Sequence, residues 1–200
     1  MKNYKLIILF LFLSSFFLAQ VTLLDSLTLA TYTEYTDLAE ALKNPNDVIK
    51  LTLRKKKFKT FPSEIYQFKN LQYLDLSKNS FKELPDSISL LKNLQYLIIS
   101  RTGIETLPAS FGDLENLKYL NLNQNEIYKL PYSFGKLTKL EFADLWSNNL
   151  SYFPESLKNL TLLKSMDLRN ILIPQLNQDN IQALLPKTVI YFSPACRCSW

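Results

Sequence analysis

The chain has 200 residues, a formal charge of +5, no histidine, two cysteines and three glycines. The missing histidine removes the commonest general base and zinc ligand, and two cysteines cannot build a disulfide scaffold or a four-cysteine metal site. Neither G-x-G-x-x-G nor G-x-x-x-x-G-K occurs, so a Gly-rich phosphate loop is excluded and most enzyme classes lose support.

Lys2 and Lys5 flank the start of an apolar run from Leu6 to Leu18, followed by Ala19 and Gln20. A basic start, a short apolar stretch and small residues after it predict a secretory leader over 1–20, cleaved after Ala19 or Gln20. The run is short for a membrane span, which needs about 20 apolar residues. Removing the leader leaves 21 basic against 18 acidic residues, a net +3. Six of the basic residues, Lys50, Arg54, Lys55, Lys56, Lys57 and Lys59, fall in one ten-residue stretch, and the rest of the mature chain is net acidic.

Residues 21–47 are predicted to form an N-terminal cap. Within it, 34–43 has the pattern of a short amphipathic helix, started by Thr36 or Asp37 and stopped before Pro45. Leu38, Ala41 and Leu42 share its apolar face.

The chain has forty leucines, and from 48 onward most of those present fall into a period of 23. Leu71, Leu94, Leu117, Leu140 and Leu163 occupy position 1, and Leu74, Leu97, Leu120, Ala143 and Met166 position 4. Leu76, Ile99, Leu122, Leu145 and Leu168 hold position 6; Val48, Leu51 and Leu53 extend the three ladders upstream. Six units therefore start at 48, 71, 94, 117, 140 and 163. Further ladders occur at position 11 (Phe58 to Ile173), position 14 (Phe61 to Leu176), position 18 (Ile65 to Leu157) and position 21 (Phe68 to Leu160). Pro62, Pro85, Pro108, Pro131 and Pro154 follow position 14.

In "LQYLDL" (71–76) the alternation predicts a strand with Leu74 and Leu76 on one face and Tyr73 and Asp75 on the other. Proline ends regular pairing, so each unit returns on the opposite side. No single unit buries its own apolar face. Stacking does, which predicts an α/β solenoid with a parallel sheet on its concave side.

These repeats resemble the leucine-rich-repeat family, whose pattern L-x-x-L-x-L-x-x-N-x-L-x-x-L-P is read most clearly in residues 71–93. The resemblance covers 48–176 and implies a horseshoe segment with short helical caps. It also implies that Asn79, Asn125 and Asn148 bond backbone groups within the turn. Lys56, Thr102 and Ile171 stand at that position elsewhere. The end units are therefore expected to be less regular. The "LP" turn and the absence of disulfide-bonded caps resemble bacterial and intracellular repeats more than receptor ectodomains.

The outward strand positions are the candidate binding surface. Position 3 carries Tyr73, Tyr96, Tyr119 and Phe142, which at a strand spacing of about 4.8 Å make a stripe about 15 Å long. Position 5 carries Asp75, Asn121, Asp144 and Asp167, and position 7 carries Trp146 and Arg169. Tyr, Trp and Arg dominate interface energetics. Asp144 and Asp167, on adjacent strands, could raise one another's pKa or hold a cation, though an acidic solvated patch is the simpler expectation. The basic stretch 50–59 reads as a solvated edge or as a patch for an anionic partner.

Residues 177–200 are predicted to be the C-terminal cap, with a helical turn over 178–185 and a strand over 188–192. Cys196 and Cys198 lie too close in sequence for an unstrained bond. The expected function is non-catalytic recognition of a protein partner through the concave face, with no metal and no cofactor. The alternative is a glycan- or cell-surface-binding module using the aromatic strip and basic edge. The leader implies a secreted, periplasmic or cell-surface location and argues against nucleic acid as partner. Family analogy alone would place the chain in the cytoplasm.

Overall fold

A computed structural model describes residues 22–193. The leader and the cysteine pair at 196 and 198 lie outside these residues. Eight parallel strands form one sheet in strict chain order: β1 (Glu34–Tyr35), β2 (Lys50–Thr52), β3 (Tyr73–Asp75), β4 (Tyr96–Ile98), β5 (Tyr119–Asn121), β6 (Phe142–Asp144), β7 (Ser165–Leu168) and β8 (Val189–Phe192). The register aligns each unit with the next at a shift of 23 residues, for example Leu74 with Leu97 and Leu97 with Leu120. The chain is a leucine-rich-repeat solenoid, as its sequence period predicts.

Five short 3-10 helices return on the opposite side: Ser63–Gln67, Asp86–Leu90, Ala109–Asp113, Tyr132–Lys136 and Glu155–Asn159. Their apolar residues explain the tight winding. Ile88 and Leu91, or Phe111 and Leu114, are three apart, and a three-residue turn stacks such pairs on one face. These side chains are buried, and Phe111 stacks on Phe134 with ring centroids 6.3 Å apart. Neighbouring coils approach closely at Gly112 and Gly135, where an added Cβ would lie 2.0 Å from Ser133 O and 2.2 Å from Ser156 O.

The asparagine ladder is present. Asn79 Nδ2 donates to Leu53 O and Leu76 O, and Asn125 and Asn148 repeat the pattern two and three carbonyl rungs further on. At the vacated positions Lys56 is exposed and Ile171 is simply buried. The residue just before this position adopts a left-handed φ of 54° to 59° in every unit: Lys55, Lys78, Arg101, Gln124, Ser147 and Asn170.

Both caps differ in detail from the sequence expectation. Residues 34–43 are not one helix. Glu34 and Tyr35 pair with Lys50 and Leu51, and only Leu38–Ala41 (α2) is helical, capped by Asp37, whose carboxylate accepts from Ala39 N and Glu40 N. Pairing with the open edge of β2 satisfies more backbone groups than an extra helical turn would. Ala41 is fully buried and Leu38 and Leu42 pack beside it, as the apolar face requires. An additional helix, α1 (Ser26–Thr31), precedes it, with Asp25 as its cap. At the other end α3 (Gln175–Leu184) starts directly after Pro174 and interrupts the sixth unit. Leu176, placed by periodicity in the core, is therefore 71% exposed. The final strand is present as β8 and covers β7 in parallel.

Candidate functional site

The sheet places position 3 of every repeat in one row. Tyr73, Tyr96, Tyr119 and Phe142 lie on neighbouring strands in register. Ring centroids are 6.2 Å apart for Tyr73–Tyr96 and again for Tyr96–Tyr119, tilted by 31° and 28°. The three tyrosines are half-buried and Phe142 is 41% exposed. A lysine sits over the ring at each end: Lys50 Nζ is 5.4 Å from the Tyr73 centroid and Lys164 Nζ is 5.5 Å from that of Phe142. Burial, with the Asp75 and Glu34 carboxylates nearby, pushes the Tyr73 phenol up to about 12.

The N-terminal segment forms one wall beside this stripe, a feature that periodicity could not reveal. Gln72 Nε2 donates to Thr22 O, and Gln95 Nε2 donates to Leu24 O. Asp25 and Ser26 then border a groove of about 610 Å³ together with Tyr96, Lys118, Tyr119, Glu141, Phe142 and Lys164. The sequence signal was available in Gln72 and Gln95. They are polar residues at the start of two strands, and both are fully buried.

Position 5 closes the end of each strand. The side-chain oxygens of Asp75, Asn121, Asp144 and Asp167 accept from the backbone N–H two residues on, at Ser77, Asn123, Trp146 and Arg169. These are local turns of the kind Asn and Asp favour. Asp75, expected on the accessible face, is 3% exposed, because Ser77 and Arg54 cover its carboxylate. The other three remain partly open to solvent.

A cleft of about 430 Å³ lies between Asn123, Asp144, Trp146, Asp167 and Arg169. Asp144 Oδ2 accepts from Asn121 Nδ2 at 3.1 Å and Asn123 Nδ2 at 2.6 Å. Arg169 Nε lies 3.0 Å from Asp167 Oδ1, and its guanidinium also sits over Tyr191 at 5.6 Å. Burial opposes ionisation of Asp167, but hydrogen bonds from Arg169 outweigh it and hold the carboxyl below its ordinary range. The two carboxylates thus have separate partners, amide donors for Asp144 and a guanidinium for Asp167. Among the described residues no three metal-ligating side chains come together.

The basic edge does not form as one patch. Lys50 lies at the start of β2, within 3.6 Å of Glu34, while Arg54 lies past its end within 3.6 Å of Asp75. Lys55, Lys56, Lys57 and Lys59 are exposed. Lys50 therefore belongs to the aromatic stripe, because an extended strand separates its two ends.

Two family descriptions match the sequence: "Leucine rich repeat" over residues 48–104 and "Leucine-rich repeat region" over 91–185. Among solved structures, a leucine-rich-repeat protein of Leptospira interrogans is 31% identical with a TM-score of 0.67, covering 80% of this chain and 46% of that one. The plant peptide hormone receptor RGFR1, solved in complex with RGF2, is 28% identical with a TM-score of 0.57, covering 72% of this chain and 23% of that one. This chain thus spans under half the length of either protein. No curated protein sequence matches it. Among the described residues no helix is long and apolar enough to cross a membrane.

Proposed function

Because this chain belongs to the leucine-rich-repeat family, we propose that it is a non-catalytic scaffold that holds a protein partner in its concave face. The observation that carries this reading is the continuous row Tyr73–Tyr96–Tyr119–Phe142, leading toward Trp146 and Arg169 at the far strand ends. Its three tyrosine rings already pack on one another over a hydrogen-bonded sheet, so little of their side-chain freedom is left to lose on binding. The fit of a peptide hormone to the similar plant receptor supports a polypeptide ligand. The leader-like residues 1–20 support action outside the cytoplasm.

A photoreactive benzophenone side chain placed at Phe142, on the concave face, tests this. It is expected to capture polypeptide adducts from the native host's extracellular fraction, and the same probe at Leu90 on the convex side is not. Equal capture at both positions overturns the reading.

A second reading, a glycan- or cell-surface-binding module, draws support from the Trp146 cleft. There Trp146 lines the cleft together with planar polar side chains suited to hydroxyl groups. Adducts at Phe142 that resist protease and yield to glycosidase would favour it over a protein partner.

A further inference from the structure

The left-handed turn after each strand favours glycine or asparagine. Units one to three instead carry Lys55, Lys78 and Arg101 there, with φ of 57°, 59° and 56°. Units four to six carry Gln124, Ser147 and Asn170 in the same conformation, so the turn itself does not require a cation. Stacking three cations on neighbouring strands, about 4.8 Å apart, adds mutual repulsion to the backbone cost. Lys78 registers that repulsion. The charges of Lys55 and Arg101, with that of Arg54, hold its ammonium below the usual lysine range.

Among the described residues no carboxylate lies within ion-pairing distance of Lys55, Lys78 or Arg101. The Arg101 guanidinium is instead steadied by its Nε donating to Gln124 Oε1. Arg54 stands at the head of the column, half engaged with Asp75. Two local rules are thus broken in three consecutive repeats without a counter-charge, the pattern expected where a site serves binding rather than stability. The stretch 50–59 hides this column, because Lys78 and Arg101 join it only when the repeats stack.

We infer that Arg54, Lys55, Lys78 and Arg101 form a docking column for an acidic peptide segment of the partner. This rests on the protein-binding reading above. The column crosses the strands at their ends and runs alongside the aromatic row. A polypeptide laid across the repeats would therefore meet the rings and the cations along parallel lines. An extended acidic segment presents same-side carboxylates about every 6.8 Å, within reach of side chains as long as lysine and arginine. Ammonium groups with no competing carboxylate also attract such a segment at long range.

Fluorescein-labelled deca-glutamate, titrated against the full chain and followed by anisotropy, tests the inference. Binding is expected to weaken as salt rises, since exposed charges are screened. Lys78→Glu with Arg101→Glu should weaken it by about tenfold or more, which corresponds to about 1.4 kcal/mol. Lys129→Glu with Lys158→Glu, an equal charge change at exposed sites elsewhere, should leave it within about twofold. The neutral pair Lys78→Gln with Arg101→Gln, checked for an unchanged melting curve, should weaken binding to an intermediate degree. Equal loss in both glutamate pairs overturns the inference. So does heparin binding through Lys78 and Arg101 when deca-glutamate does not bind. Failure here with Phe142 adducts intact removes this column alone. Loss of Phe142 specificity with deca-glutamate binding intact removes the concave-face reading alone.

Discussion

Gln95 donates its side-chain amide to the side-chain oxygen of Gln72 at 2.7 Å, in full burial, and the pair holds the N-terminal segment against the repeats. Gln72 Oε1 also accepts from Leu24 N at 2.9 Å, while the two amides reach Thr22 O and Leu24 O. The segment that follows the expected cleavage site is thereby an integral wall of the concave groove. Gln72→Leu orphans Thr22 O and Leu24 N, and Gln95→Leu orphans Leu24 O, at about 1–3 kcal/mol for each group. In Gln72→Leu or Gln95→Leu, amide exchange should accelerate over 22–31 while β4 and β5 stay protected. Uniform acceleration across all strands would contradict a local role.

Gly112 and Gly135 should be far less tolerant than Gly103. A Cβ at Gly112 meets the Ser133 backbone at 2.0 Å, whereas one at Gly103 meets nothing within 4 Å. Forcing adjacent coils apart should cost about 3 kcal/mol or more in Gly112→Ala. Gly103→Ala carries only the strain of its φ of +87°, about 1–2 kcal/mol. Urea midpoints at constant slope measure both.

The asparagine ladder should be graded rather than uniform. Asn125 Oδ1 accepts from the N–H groups of Thr102, Gly103 and Ile104 and from the Thr102 hydroxyl, whereas Asn148 Oδ1 accepts from Ile127 N. Each amide donates to two strand-end carbonyls. Asn125→Ala should therefore lose more stability than Asn148→Ala, with the former at about 3 kcal/mol or above. Asn125→Asp should be no better than alanine, because a carboxylate would face the carbonyls of Ile99 and Leu122. Denaturant titration ranks the three.

Tyr73 gives the chain a particular alkaline limit. The phenol stays protonated in the fold up to about 12, against an ordinary value of 10.0 in an unfolded chain. Its contribution is complete below pH 10 and is lost as pH rises from 10 to 12, because only the unfolded state releases the proton there. Denaturant midpoints at pH 9 and pH 11 should fall less in Tyr73→Phe than in the parent chain.

Lys78→Gly should stabilise the fold. It relieves a left-handed φ of 59° and removes one of three stacked cations. A gain of about 0.5–1 kcal/mol is expected, read as a higher melting temperature, together with weaker deca-glutamate binding.

The period of 23 residues determined the fold by itself, because one strand and one return per unit leave a single way to bury Leu74, Leu97 and Leu120: in a stack. It also put Tyr73, Tyr96 and Tyr119 in one row, since equal positions in equal repeats coincide once the strands pair in register. Wherever the period failed, tertiary structure decided. Glu34 and Tyr35 became a strand because the edge of β2 offered unpaired backbone, and Leu176 moved to solvent because Pro174 opened α3. Asp75 passed from candidate ligand to turn closure through hydrogen bonds only two residues long. The largest gap concerned charge. The composition showed a basic stretch at 50–59, but a linear sequence cannot show that Lys50 faces one end of its strand and Arg54 the other. Lys78 and Arg101, 23 and 46 residues beyond Lys55, share its repeat position, but only the structure shows the left-handed turns that carry them and their lack of a carboxylate partner among the described residues. Stacking brings those side chains to neighbouring strand ends, where Coulomb interactions depend on distance in space and not along the chain.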